Sequence, residues 1–508
     1  MISEVETSPA PPCPTPFNMA DCVLAAADRN ADKIALSVVS LSRSKRWSYA
    51  RLKSAVLGAG RGILSAGLVE GDRVLLRIGN TPDFPIAFLG AISVGVIPIP
   101  TSPALTVSET SVIARKTRPA LIISGSEEIA LPEGDWPVVD PRTFASWQDL
   151  PPVDFAYGDP ERPAYIVFTS GTGGRPQAVV HAHRAIWARR MMWEGWYGLN
   201  ADDRILHAGA FNWTFTLGTG LMDPWSIGAT ALIPSPEVTV AELPLLLKRH
   251  DATLFAAAPG VYRQMLRNDV PAMPKLRHGL SAGEKMHETV RDAWTEATGT
   301  AIHEAYGMSE CSTFISSSPS RPAPTGHIGY AQPGRRLSLR KDGNPVPAGE
   351  LGMICVHRSD AGLMLGYLDD EDATDRKFDG EWFQTGDLGV MHADSSISYA
   401  GRSDDMMNAG GYRVSPLEVE NIMLEHPLIS EAAACELTVR EGVSVIGLFY
   451  VAKDAIDAAA LEAHATERLA RYKCPREFIA VEQLPRGANN KLLRRKLRED
   501  WEAHRGQA

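Results

Sequence analysis

The sequence predicts an α/β fold built as at least two domains. Three observations carry that reading. Apolar runs of strand length alternate with stretches of helical spacing, the pattern of strand–helix–strand units around parallel sheet. The chain, at 508 residues, is longer than one hydrophobic core sustains. A loop of hydroxyls and glycines then joins two of the apolar runs, residues 165–168 and 178–180.

The elements follow in order. Residues 18–30 set Ala20, Val23, Leu24 and Ala27 at helical spacing. Residues 34–39 read as a strand, and residues 47–50 open a helix over 52–66. Gly71 and Asp72 lead into a strand at 73–77, a helix at 83–94 and a strand at 96–98. A helix at 111–116 and a strand at 120–124 repeat the unit. Residues 132–160, rich in Pro and Asp, read as a surface connection. A helix over 184–196 has His181 and His183 flanking its start. Alternate strand positions share one face, but no third metal ligand is evident nearby, so the pair reads as surface or substrate-adjacent. Residues 253–258 form an apolar strand, with Pro259 and Gly260 starting the next helix. Ser281-Ala282-Gly283-Glu284 is a tight loop at a strand end, where ligands of open α/β sheets bind.

Composition narrows the function class. A net charge of −10 argues against nucleic acid or an anionic membrane as main partner. Hydrophobic and charged fractions of 44% and 22% are those of a soluble globular protein. The six cysteines show no zinc or redox spacing, so free thiols in a reducing cytoplasm are expected. Residues 1–17 lack an apolar signal core. The most apolar window, residues 87–99, is broken by Gly90, Gly95 and Pro98, and reads as a core helix running into a strand rather than a membrane span.

Chemistry concentrates in five stretches. In the first, Thr169, Ser170 and Thr172 supply hydroxyls, while Gly171, Gly173 and Gly174 let backbone N–H groups turn onto an anion. Arg175-Pro176-Gln177 follows, which excludes a Walker loop and a dinucleotide fingerprint. Phe211-Asn212-Trp213-Thr214-Phe215 is an aromatic cluster before a Gly-rich helix. His303-Glu304-Ala305-Tyr306-Gly307-Met308-Ser309-Glu310 reads, on residues alone, as a turn and a capped helix start. Gly386-Asp387 reads as a turn, followed by Gly401-Arg402-Ser403-Asp404 and later Gly410-Gly411. Last comes Leu484-Pro485-Arg486, with Lys491 in a basic, polar setting.

These stretches resemble the adenylate-forming superfamily, whose signatures run T-S-G-T-T-G-x-P-K, Y-G-x-T-E, T-G-D, G-R-x-D and L-P-R-T-x-x-G-K. Tyr472-Lys473-Cys474-Pro475-Arg476 resembles the AMP-dependent acyl-CoA synthetase branch, and the layout around residues 281–284 resembles benzoate–CoA ligase-type enzymes. The resemblance covers residues 18–501. It implies a large multi-sheet α/β domain over residues 1–401 and a small mobile α+β domain over 402–508, hinged at Asp404.

The implied chemistry is AMP-forming ligation of an aromatic, alicyclic or short- to medium-chain carboxylic acid to CoA, with ATP and Mg²⁺. By resemblance the 169–177 loop cradles the ATP phosphates, Glu304, Ala305 and Tyr306 lie along the adenine with Tyr306 stacking on it, and Gly307, Met308 and Ser309 also bind ATP. Glu310 binds Mg²⁺, Asp387 takes the ribose hydroxyls, Arg402 binds ribose or phosphate, and Gly410 and Gly411 line the pantetheine tunnel. Trp213, Phe215, Ser281 and Gly283 form the acid pocket. Lys491 is the catalytic lysine, with Thr172 and Glu310 beside it in role. Gln177 replaces the signature lysine, which implies weaker ATP binding unless amide donors or Arg175 compensate. Two alternatives stay open: an enzyme loading a carrier protein's phosphopantetheine, and a lapsed nucleotide-binding relative. A homodimer is compatible with this layout.

Overall fold

The structure, a computed structural model, describes residues 2–8, 11–169, 177–409, 412–440, 443–487 and 492–505. The chain divides into two compact units. One comprises Val5–Arg336 and His357–Phe383, the other Met1–Glu4, Leu337–Val356 and Gln384–Ala508. This division groups residues 337–356 and 384–401 with the C-terminal segment.

The larger unit holds a nine-stranded sheet. Its order runs Tyr330–Ala331, Ser312–Ser316, Ile302–Met308, His278–Ala282, Leu254–Ala257, Arg204–His207, Thr230–Pro234, Ile34–Val39, Ser44–Ser48. Neighbours are parallel from Ile302–Met308 through Ile34–Val39, and antiparallel outside that stretch. A second, parallel sheet orders Ile97–Pro100, Arg73–Arg77, Leu121–Ser124 and Val138–Val139. The helix Asp83–Ser93 is apolar all round because it is buried all round. A third sheet contains the hairpin Pro163–Thr169 and Gln177–Ala182, with Gly366–Tyr367 on its edge. One core cluster, including Leu75, Ile99, Ile122, Ile166 and Ala178, fastens this hairpin to the second sheet.

Local sequence explains most boundaries. Asn18 caps the helix Met19–Leu24, accepting from Ala20 N–H at 2.9 Å. Thr106 and Glu109 form a capping box on the helix Val107–Thr117. Four expectations are corrected. Trp47 lies in the strand Ser44–Ser48, because Ser48 is the residue that caps the helix Tyr49–Ser65. Residues 132–160 are more than a connection: Asp140 caps the helix Pro141–Trp147, whose Phe144 is buried. The stretch 184–196 splits into a helix, Ala185–Arg189, and a π-helical turn, Trp193–Tyr197. Tyr306 and Gly307 continue the strand Ile302–Met308 rather than starting a helix.

In the smaller unit, residues 387–391 of the strand Trp382–Met391 pair antiparallel with Ile397–Arg402. The sheet Ile429–Arg440, Val443–Ala452, Glu477–Ala480 packs with the helices Pro416–Leu424 and Ala458–Arg468 around Val419, Met423, Leu448 and Leu461. Arg494, opening the helix Arg494–Arg505, donates to both carboxylate oxygens of buried Glu420, with Nη2 at 2.8 Å from each. Among the described residues no helix is long and apolar enough to cross a membrane, and none of the six cysteines is in a disulfide.

Candidate functional site

The hairpin that carries the glycine loop ends on the pair Thr169 and Gln177, which face each other across the two strands. Ser170, Gly171, Thr172, Gly173 and Gly174 lie outside the described residues, as do Gly410, Gly411 and Lys491. Gln177 Oε1 accepts a hydrogen bond from Lys116 Nζ at 3.3 Å. Lys116 was invisible as a partner in the sequence.

His181 and His183 are buried rather than superficial, at 2% and 1% exposure. His181 Nε2 donates to the Ser309 carbonyl at 2.6 Å, tying the hairpin to the next motif, and its ring stacks on Tyr165. His183 Nδ1 accepts from Met19 N–H at 3.0 Å. Burial pushes His181 down to about 4 and His183 to about 3, so both rings are neutral at pH 7. Among the described residues no group of three His, Cys, Asp or Glu could hold a metal.

The strand Ile302–Met308 runs parallel to His278–Ala282 and antiparallel to Ser312–Ser316. Its alternation sorts its side chains by face. Ala305 enters a core cluster with Phe215, Leu280 and Ala282. Glu304 turns the other way, where Oε2 lies 3.0 Å from Arg291 Nη2 and Oε1 accepts from Met286 N–H at 3.0 Å. Burial outweighs these partners and raises the Glu304 carboxyl to about 7. Tyr306 is partly exposed, edge-on to Phe314. Gly307 is required here: a Cβ would stand 2.1 Å from the Ser312 carbonyl oxygen across the hairpin. Glu310 is buried, and its Oε1 accepts from the Tyr367 hydroxyl at 2.8 Å.

The aromatic stretch stands beside this strand. Trp213 and Phe215 meet edge to face at 5.0 Å, and Trp213 packs against the cluster that contains Ala305 and Phe215. Gly283, at φ +98°, follows the strand His278–Ala282, and a Cβ there would stand 2.6 Å from Trp213 Cζ2. Ser281 is fully buried. The structure therefore gathers Trp213, Phe215 and Gly283 beside the strand that bears Glu304 to Met308.

In the smaller unit, Asp387 and Arg402 are cross-strand partners, with Oδ1 3.4 Å from Nη1. Tyr399 also donates to Asp387 Oδ1, at 3.4 Å. Arg402 Nε reaches Asp404 Oδ1 at 3.1 Å. Burial opposes the Arg402 charge, but Asp387 and Asp404 outweigh it and hold the guanidinium more firmly protonated. Sequence reasoning named Asp387, Arg402 and Asp404, and missed Tyr399.

Two family models match the chain. The AMP-binding enzyme model covers residues 23–368, and the model of its C-terminal domain covers residues 418–491. The chain belongs to the AMP-binding enzyme family. It is an AMP-forming acid–thiol ligase of the benzoate–CoA ligase-like kind. The benzoate–CoA ligase of Thauera aromatica is 31% identical over 464 residues, 85% of this chain and 86% of that one. A 4-hydroxybenzoate–CoA/benzoate–CoA ligase of Rhodopseudomonas palustris is 29% identical, covering 93% and 92%. An anthranilate CoA ligase in complex with anthranoyl-AMP superposes at a TM-score of 0.86 with 26% identity, over 96% of this chain and 98% of that one.

For this AMP-binding enzyme the donor chemistry fits Mg²⁺. The ion is held through one or two carboxylates and the substrate's own phosphates, so it needs no all-protein cage. Glu310, a carboxylate fixed by one hydroxyl at the end of the strand, is a suitable single ligand.

Proposed function

We propose that this ligase activates an aromatic carboxylic acid. The acid carboxylate attacks the α-phosphorus of ATP, expelling pyrophosphate and forming an acyl-adenylate. The thiol of CoA then attacks the acyl carbon, and AMP leaves as the thioester forms. The observation that carries the aromatic assignment is the Trp213–Phe215 wall over Gly283, adjoining the strand of Ala305. Rings present flat apolar area to a planar acid and keep water from a hydrolysable intermediate. The names of the benzoate, hydroxybenzoate and anthranilate ligases among its relatives support the same class.

The remaining residues take these roles. The 169–177 loop holds the phosphates through N–H and hydroxyl donors, and Tyr306 stacks on the adenine. Asp387 accepts from both ribose hydroxyls, a pairing suited to a carboxylate, with Arg402 and Tyr399 fixing its orientation. Mg²⁺, when bound through Glu310, neutralises charge on the leaving pyrophosphate. Lys491 stabilises negative charge as the two anions meet. Gly410 and Gly411 pass the pantetheine arm, and Asp404 serves as the hinge of the domain that begins at residue 402.

The test is ATP–pyrophosphate exchange across a panel of benzoates, alicyclic and aliphatic acids. Exchange strongest with unsubstituted or singly substituted benzoates is expected. Exchange confined to aliphatic acids would reassign the substrate class.

A further inference from the structure

The signature loop of this chain lacks its lysine, and a lysine from another element contacts the glutamine that replaces it. We propose that Lys116, from a separate helix, supplies the ammonium that binds the terminal phosphates of ATP and their pyrophosphate product. This inference rests on the ligase reading above.

Gln177 stands where the signature has Lys and pairs with Thr169 at the mouth of the loop. Lys116 lies in the last turn of the helix Val107–Thr117. That helix is anchored by Ile113 and Ala114 in the same core cluster as Ile166 and Ala178 of the hairpin. Its reach to Gln177, 3.3 Å from Nζ to Oε1, is therefore set by packing.

An ammonium can only donate, so the amide atom facing it is the oxygen, and the Gln177 NH₂ turns the other way as a further donor. Among the described residues the hydrogen bond to Gln177 is the one polar partner of the Lys116 ammonium, and no carboxylate neutralises it. A half-buried cation paired with a neutral amide at the Thr169–Gln177 strand ends suits a polyphosphate anion. A lysine at 177 would set two ammoniums against each other, which accounts for the glutamine.

The experiment uses the full chain as wild type, Lys116→Met, Lys116→Arg, Gln177→Lys and the double variant Lys116→Met/Gln177→Lys. Acid-dependent exchange gives the KM for ATP and for the acid, and calorimetry gives ATP affinity without acid. Lys116→Met should weaken ATP about ten- to a hundredfold, the worth of one charge-assisted hydrogen bond, with the acid KM unchanged. Lys116→Arg should retain most of the affinity. Gln177→Lys alone should gain nothing, and the double variant should return to within about threefold of wild type. An unchanged ATP affinity in Lys116→Met, or two effects that simply multiply, would overturn the proposal. A wild type that exchanges no acid yet binds ATP through Lys116 would sink the ligase reading and leave this inference standing. Absence of ATP binding altogether would end both.

Discussion

The Tyr367 hydroxyl donates to Oε1 of Glu310 at 2.8 Å, across 57 residues of sequence. Glu310 is the proposed Mg²⁺ ligand, and this hydrogen bond orients its carboxylate so that the other oxygen is presented to the ion. Tyr367→Phe removes that bond and little volume. The expected result is a roughly tenfold slower adenylation and a severalfold higher Mg²⁺ requirement, from loss of about 1.5–3 kcal/mol of a bond to a charged group. Titrating exchange activity with Mg²⁺ measures it, and an unchanged requirement would remove Tyr367 from the site.

Gly283 has no room for a side chain. A Cβ there would lie 2.6 Å from Trp213 Cζ2, on a backbone at φ +98° that L-residues rarely adopt. Gly283→Ala must therefore displace the Trp213 ring or the loop. The expected outcome is a KM for the aromatic acid raised about tenfold or more, with the KM for ATP within about twofold of wild type, by analogy with the cost of misplacing a positioning group. Equal losses for both substrates would mean that Trp213 does not line the acid pocket.

Stability should fall on the acid side through buried histidines. Burial holds His207 down to about 3, and neither of its ring nitrogens has a hydrogen-bond partner among the described residues. Below its ordinary pKa near 6.5 the unfolded chain takes a proton that the fold refuses, so stability is lost as pH falls from about 6.5 toward 3. His181 and His183 act in the same direction. Glu304 acts oppositely: raised to about 7, it retains a proton that the unfolded chain releases, so its contribution is lost as pH rises from about 4.5 to about 7. His207→Leu should lower the proton linkage between pH 6 and 4.5 by about one. Urea melts at pH 7.5, 6 and 4.5 would read this, and identical pH profiles for variant and wild type would refute it.

Much of this arrangement was legible along the chain, because its causes are local. The strands Ile34–Val39 and Arg73–Arg77 are apolar runs bounded by turn residues, and both form as the spacing predicts. Asp387, Arg402 and Asp404 fall within one short stretch, and they do meet. The Tyr306–Gly307 step misled because turn chemistry and a close strand crossing both call for glycine, and only the partner strand at Ser312 distinguishes them. The surface alternative for His181 and His183 failed because their partners, Ser309 and Met19, are 128 and 164 residues away. Lys116, Tyr367 and Arg291 were missed for the same reason: each acts on a motif residue from another element, and no spacing within a motif points to them.

The central claim is thioester synthesis through an adenylate, and product analysis addresses it most directly. Purified protein with ATP, Mg²⁺, free CoA and benzoate should yield benzoyl-CoA, AMP and pyrophosphate in equal amounts, and Lys491→Ala should lose adenylate formation while still converting supplied benzoyl-adenylate. Adenylate that accumulates without passing to free CoA would instead indicate a carrier-protein acceptor. No acid-dependent AMP with any member of the acid panel would contradict the account.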